Sequence, residues 1–142
     1  MRVVLDTNVY ISFLLAPTAD RPVATIVRAG VAGRYDLVIS QSLLSELVDK
    51  VENKLYLSRR ISRAVLNDFV RILEQNAIHA PFLTGNIFAI SRDPKDDYLI
   101  MDAVLSDAAF LVTGDRDLLV LDPLGSLRIL SPQAFLMLLD QS

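Results

Sequence analysis

The chain has 142 residues, of which 17 are acidic and 14 are basic, and its net charge is −3. This length predicts one domain spanning residues 1–142, and an apolar content of 52% argues against intrinsic disorder. The absence of cysteine excludes disulfides and thiolate metal sites, and a single histidine excludes a multi-histidine metal site. No uncharged run reaches the roughly 18 residues of a membrane helix and no signal peptide is apparent, so we expect a cytoplasmic protein.

The first half of the chain alternates short apolar runs with longer stretches of helical periodicity. Residues 2–5 and 37–39 are predicted to be strands because they are short, mostly apolar and rich in β-branched residues. The predicted helices are 8–16, 22 to about 30–33, 43 to about 55 with Ser42 as the N-cap, and 58–75. The last of these is expected to bury the stripe Ile61, Val65, Phe69, Ile72 and Leu73.

The second half continues the alternation. Strands are predicted at 77–80, 110–113 and 127–130, and helical segments at about 95–108, at 116–120 and from Pro132 onward. Strands that are apolar on both faces and alternate with helices are typical of a parallel sheet covered on both sides. The fold class predicted from this pattern is therefore α/β.

Acidic residues follow several of the predicted strands. Ligands of open parallel sheets bind beyond the carboxyl ends of the strands, so these acids are expected to share one edge. Carboxylates that lie close together repel one another unless a cation lies among them, and Mg²⁺ or Mn²⁺ suits an all-oxygen site. The acids at this edge are Asp6, Glu46, Asp93, Asp96, Asp97, Asp115 and Asp117.

Each acid also has a structural explanation when it is taken alone. Asp6 can cap the helix that follows it, and Glu46 can pair with Lys50 four residues on. Asp96 and Asp97 suit the first turn of a helix, and helical periodicity leaves open which of the two faces the site. The joint placement of the acids at one sheet edge favours the metal site over these separate explanations.

Four segments in order along the chain resemble the PIN-domain family, and within it the VapC-like toxins of prokaryotic toxin–antitoxin pairs. They are Val3-Val4-Leu5-Asp6-Thr7-Asn8, Ser45-Glu46-Leu47, Asp93-Pro94-Lys95-Asp96-Asp97 and Leu111-Val112-Thr113-Gly114-Asp115-Arg116-Asp117. The resemblance implies a three-layer α/β/α Rossmann-like sandwich with a central, mostly parallel sheet. It also implies a Mg²⁺- or Mn²⁺-dependent endoribonuclease that hydrolyses phosphodiester bonds and leaves 5′-phosphate and 3′-hydroxyl ends.

The resemblance assigns roles to residues of this chain. The implied catalytic acids are Asp6, Glu46, Asp97 and Asp115, and these four together with Asp117 are the implied metal ligands. Asn8 and Thr113 would be polar supports, and Asp96 is kept as a supporting residue because spacing from Asp115 in the family pattern favours Asp97.

The expected partners are an RNA substrate, a cognate antitoxin protein and a second copy of the chain, because PIN domains commonly pair. Arg59, Arg60 and Arg63 are candidates for binding RNA or a partner, although a solvated helix face is the slightly favoured explanation. The alternative function is a catalytically silent PIN-like module that binds a partner protein or RNA. A receiver-like phosphoacceptor domain fits less well because only one acid, Asp6, follows the first strand.

Overall fold

The computed structural model describes residues 1–81 and 97–141, and of Asp97 it describes the backbone alone. In chain order the elements are β1 Arg2–Leu5, α1 Thr7–Leu15, α2 Pro22–Val31, β2 Asp36–Ile39, α3 Gln41–Asn53, α4 Leu55–Ser58, α5 Arg63–Asn76, β3 Ile78–His79, α6 Asp97–Leu105, β4 Phe110–Val112, α7 Arg116–Leu119, β5 Arg128–Leu130 and α8 Pro132–Asp140. Within the described ranges no helix is long and apolar enough to cross a membrane.

The five strands form one sheet in the order β3-β2-β1-β4-β5, and every pair is parallel. Helices cover both faces, which gives the three-layer α/β/α architecture expected from the sequence. The central strand β1 pairs with β2 through Val3 and Leu37 and with β4 through Leu5 and Val112. Because all strands point the same way, the residues that follow β1, β2 and β4 lie at one edge of the sheet.

The strand residues lie at the centre of the core. Val3, Val4 and Leu5 of β1 are fully buried, as are Val38 and Ile39 of β2. Strands covered on both faces have no solvent-facing side, which explains their continuous apolar sequence. The core therefore fixes the position of the polar residues that end each strand.

The start of α3 differs from the sequence prediction. Ser40, directly after β2, accepts a hydrogen bond at 3.1 Å from the backbone N–H of Leu43 and caps a helix that begins at Gln41. Ser42 therefore lies inside the helix and is not its N-cap. The helix ends at Asn53, and Leu55 belongs to the separate short helix α4.

The prediction of one continuous helix over 58–75 is wrong. The chain leaves α4 at Ser58 and enters α5 at Arg63, where the Ser62 hydroxyl oxygen accepts a hydrogen bond from the backbone N–H of Val65. A capping serine starts a new helix, but the apolar residues before and after it can keep the same spacing. The apolar period therefore does not reveal the break between the two helices. The buried face of α5 carries Leu66, Phe69 and Leu73, whereas Val65 and Ile72 of the predicted stripe are exposed.

Helix α6 is the described part of the helix predicted at 95–108. It ends at Leu105, and Asp107 adopts a left-handed backbone with φ of 54°, a conformation that ends helices. The backbone N–H of Ala108 donates to the carbonyl of Ala103 at 2.8 Å and leads the chain into β4. The predicted site residues Asp93 and Asp96 lie outside the described residues.

Candidate acidic site

Asp6 is a buried carboxylate at the end of the central strand. Its side chain is 2% exposed and caps α1 through a hydrogen bond from the backbone N–H of Asn8 to Oδ1 at 3.3 Å. The Thr7 hydroxyl also donates to Oδ1, at 3.2 Å, and the Thr113 hydroxyl donates to Oδ2 at 2.8 Å. The capping role expected from the sequence is thus present, and it leaves Asp6 oriented toward β4.

Thr113 connects Asp6 to the acids that follow β4. Its hydroxyl is fully buried, donates to Asp6 and accepts a hydrogen bond from the backbone N–H of Asp115 at 3.0 Å. Asp115 caps α7, because its Oδ1 accepts from the backbone N–H of Asp117 at 2.9 Å. We call Asp6, Thr113 and Asp115 together the acidic edge.

Glu46 is linked through Lys50 to the residues that follow Asp6. The Lys50 ammonium lies 2.9 Å from Glu46 Oε1, which is the i, i+4 ion pair that the sequence allowed. The same Nζ atom also lies 3.3 Å from Thr7 Oγ1 and 3.4 Å from Asn8 Oδ1. Lys50 therefore connects α3 to the start of α1 and is more than a charge on a solvent-exposed helix face.

Tyr98 holds the second oxygen of Glu46. Its hydroxyl donates a hydrogen bond to Glu46 Oε2, which places the first turn of α6 against α3. Burial raises the pKa of Tyr98, the hydrogen bond and charge of Glu46 raise it further, and the charges of Asp6 and Asp102 add to the effect. Tyr98 therefore remains a neutral hydrogen-bond donor at physiological pH.

Asp102 was not among the residues predicted from the sequence. Its side chain is 4% exposed, one oxygen is hydrogen-bonded with Ser40, and Oδ2 has no hydrogen-bond partner among the described residues. Burial raises the pKa of Asp102 to about 6, against the lowering effect of the Ser40 hydrogen bond. The available signal was a single acid inside the apolar run Leu99-Ile100-Met101-Asp102-Ala103-Val104-Leu105.

The other predicted residues fall into two groups. The structure describes only the backbone of Asp97, at the start of α6, and Asp96 lies outside the described residues. The roles of both side chains therefore remain predictions. Arg59, Arg60 and Arg63 are exposed around the junction of α4 and α5. Their described contacts include an ion pair at 3.9 Å between Arg63 and Glu52 but none with the acidic edge.

The chemistry of the acidic edge suits a hard cation. Asp6 is buried, and no lysine or arginine of the described residues lies within ion-pair distance of it. A buried carboxylate without a cation is costly, and hydroxyl and backbone donors offset only part of that cost. Among the side chains described, no three acids or histidines come close enough to hold a metal ion. A complete site at Asp6 and Asp115 therefore requires a further oxygen donor.

Comparisons with known proteins agree with this architecture. A family model described as PIN domain matches residues 2–117. VapBC2 from Rickettsia felis, in a crystal structure with a DNA fragment from its promoter, is similar with 17% identity and a TM-score of 0.59, covering 92% of this chain and 98% of that one. PAE2754 from Pyrobaculum aerophilum is similar with 15% identity and a TM-score of 0.56, covering 100% of this chain and 91% of that one. A comparison with curated protein sequences gives no match.

Proposed function

Because the chain belongs to the PIN domain family, we propose that it is a Mg²⁺- or Mn²⁺-dependent endoribonuclease whose site is the acidic edge. The observation that carries this proposal is the Asp6–Thr113–Asp115 hydrogen-bond chain at the carboxyl ends of adjacent parallel strands. It joins a buried carboxylate that has no cationic partner among the described residues to the backbone N–H of a second aspartate. Such a pair is suited to binding a divalent cation through oxygen.

Asp6 and Asp115 would hold the cation, and Asp97 with its neighbour Asp96 would supply the missing oxygen donor. A bound Mg²⁺ or Mn²⁺ would lower the pKa of coordinated water and offset negative charge on the phosphate. Thr113 orients Asp6 by donating to Oδ2, and the cap at the start of α7 orients Asp115. Asp117 and Asn8 would support this arrangement from the first turns of α7 and α1.

Glu46 and Lys50 would act on RNA that is bound at the acidic edge. Lys50 contacts Thr7 and Asn8, the two residues that follow Asp6, and its ammonium would pair with an RNA phosphate bound at the acidic edge. Binding of a phosphate by Lys50 would free Glu46 Oε1 to accept a proton or to hold a water molecule. Tyr98 keeps the Glu46 carboxylate in place through the bond to Oε2.

We also propose that the chain is the toxin of a toxin–antitoxin pair. The support is the similarity in fold over nearly the whole chain to VapBC2 from Rickettsia felis, which was crystallised with DNA from its promoter. A cognate antitoxin would then be its protein partner. Arrest of bacterial growth on expression, relieved by Asp115→Asn, is the expected result, and unimpaired growth would count against this role.

The nuclease proposal is tested by incubating the purified protein with single-stranded RNA and Mn²⁺. Cleavage should depend on the metal, be abolished by EDTA and fall by at least about a hundredfold in Asp6→Asn and Asp115→Asn. Asp36→Asn is the matched control, since Asp36 is an exposed acid at the start of β2, on the opposite edge of the sheet. Cleavage that survives in both site variants would refute the proposal.

A second candidate is a catalytically silent module that binds a partner protein or RNA. It is favoured by the engagement of both Glu46 oxygens, one by Lys50 and one by Tyr98. A metal site stabilises the fold by roughly 2.7 kcal/mol when the cation is at a hundred times its Kd. A melting temperature that does not respond to Mn²⁺ would support the silent module, and an increase that Asp6→Asn abolishes would support the nuclease.

A further inference from the structure

A groove leads away from the acidic edge along α1. A cavity of about 380 Å³ is lined by the end of α1, the start of α2 and the start of α8. A smaller cavity of about 110 Å³ lies between it and the acidic edge. Ser12, Val23 and Pro132 line both cavities, so the two cavities adjoin. We call these two cavities together the α1 groove.

The α1 groove begins at the proposed nuclease site. Its smaller cavity is lined by Asn8 and Gly114. The backbone N–H of Asn8 donates to Asp6, and Gly114 lies between Thr113 and Asp115. A polymer whose phosphate lies at the acidic edge can therefore extend into the groove.

The lining chemistry fits a nucleotide. Among the described residues, Arg21 is the one charged side chain that lines the larger cavity, although the chain carries a net charge of −3. Gln133 and Ser12 offer amide and hydroxyl groups for a base edge, and Val23 and Pro132 offer apolar surface to a base face. Arginine with a phosphate and polar groups with an unpaired base are the usual contacts of single-stranded RNA. The larger volume lies in the roughly 300–1,000 Å³ range of small-ligand sites.

One wall of the groove is held in place before any ligand binds. The Arg28 guanidinium donates through Nη1 to the carbonyl of Pro17 at 2.7 Å and to that of Ala19 at 3.2 Å. Ala19 lines the larger cavity. Arg28 thus anchors the loop between α1 and α2, and an ordered wall reduces the entropic cost of binding.

We propose that the α1 groove binds one nucleotide of single-stranded RNA next to the scissile phosphate. The proposal rests on the nuclease function proposed above. Arg21 holds the phosphate of this nucleotide, and its base packs on Val23 and Pro132. The groove thereby sets which nucleotides flank the cleaved bond.

The test uses fluorescence anisotropy of a short fluorescein-labelled single-stranded RNA. Binding is measured in Mn²⁺ with full-length Asp115→Asn protein, which retains the α7 cap, and the RNA is checked for integrity on a gel. Ser12→Glu, at an exposed helical position, should weaken binding about tenfold because its carboxylate repels the RNA phosphates. Arg21→Ala should reduce the slope of log Kd against log salt by about 0.7, the value for one phosphate contact on a single strand.

The matched controls are Gln75→Glu and Arg34→Ala. Gln75 is exposed near the end of α5, and Arg34 precedes β2, so both lie toward the opposite edge of the sheet. Neither control should change Kd or the salt slope. If the groove variants bind RNA as tightly as their controls and the parent protein cleaves RNA, the groove proposal is refuted and the nuclease proposal is not. The same result is expected if the groove binds a peptide.

Two further outcomes separate the proposals. If RNA binding depends on Ser12 and Arg21 but the parent protein does not cleave RNA, the groove proposal is supported and the nuclease proposal is refuted. An absence of RNA binding by the Asp115→Asn protein under all salt conditions overturns the groove. With active protein, the groove variants should raise KM for RNA about tenfold and leave kcat within about twofold.

Discussion

Asp6 and Asp102 are both buried carboxylates, but their surroundings differ. Asp6 accepts hydrogen bonds from two hydroxyls and one backbone N–H. Asp102 is hydrogen-bonded with Ser40 on one oxygen, and its Oδ2 has no partner among the described residues. Donors stabilise the charged form of a carboxylate, and burial without them favours the neutral form. The charged form of Asp102 accordingly costs stability.

We predict that Asp102→Asn stabilises the metal-free protein at pH 8. The folded pKa of about 6 lies above that of an unfolded aspartate, so the folded state binds the proton more tightly. The parent therefore gains stability as the pH falls through 6 toward 4, and the variant does not. Urea unfolding in EDTA should show an advantage of about 1–3 kcal/mol for the variant at pH 8 that shrinks by pH 4. An advantage that does not vary with pH would contradict this explanation.

Thr113 is a positioning residue for both carboxylates of the acidic edge. Thr113→Val keeps the shape but removes the donor to Asp6 Oδ2 and the acceptor of the Asp115 N–H, so urea unfolding should show a loss of about 1–3 kcal/mol. Metal-dependent RNA cleavage should fall by about 10- to 100-fold. Thr113→Ser keeps the hydroxyl and should restore cleavage, and equal activity in the two variants would contradict the positioning role.

At the scale of elements, the contact between α2 and β2 requires a glycine. A Cβ on Gly30 would lie 2.8 Å from the ring of Tyr35 and 2.9 Å from Leu37 Cγ. Tyr35 is fixed there because its hydroxyl donates to the carbonyl of Ile26 at 2.5 Å. The ring therefore has little room to move away.

We predict that Gly30→Ala destabilises the protein by about 1–3 kcal/mol through overpacking. Gly114→Ala is the control, because a Cβ there has no neighbour within 4 Å. The measurement is the urea midpoint of each variant at constant m-value. Equal midpoints for the two variants would show that the Tyr35 ring yields without cost.

Some elements of the fold could be predicted from the sequence and others could not. The strands and the parallel sheet are confirmed, since their apolar runs reflect burial on both faces. The helix predicted across 58–75 is wrong because a capping serine, Ser62, leaves the apolar period unchanged. The position of Asp6 beside Thr113 follows from strand order, whereas the roles of Lys50, Tyr98 and Asp102 depend on tertiary packing that no periodicity encodes.

At the scale of the whole molecule, we predict a homodimer that uses the outer face of α5. Val65 and Ile72 are seven residues apart on one helix face and are 50% and 39% exposed. Sedimentation equilibrium should give twice the chain mass of 15.8 kDa. Val65→Asp with Ile72→Asp should give the monomer mass with an unchanged circular dichroism spectrum. Met137→Asp, at an exposed position of α8, should remain dimeric. A parent protein that sediments as a monomer would contradict this prediction.

Asp6 and Asp115 together are proposed to bind a divalent cation. The most direct measurement is anomalous diffraction from crystals soaked in Mn²⁺. We predict an anomalous peak about 2.0–2.2 Å from a carboxylate oxygen of each residue, with a third oxygen donor from Asp97 or Asp96. A map with no peak at the acidic edge at saturating Mn²⁺, with Asp6 still bound to Thr113 alone on Oδ2, would contradict it.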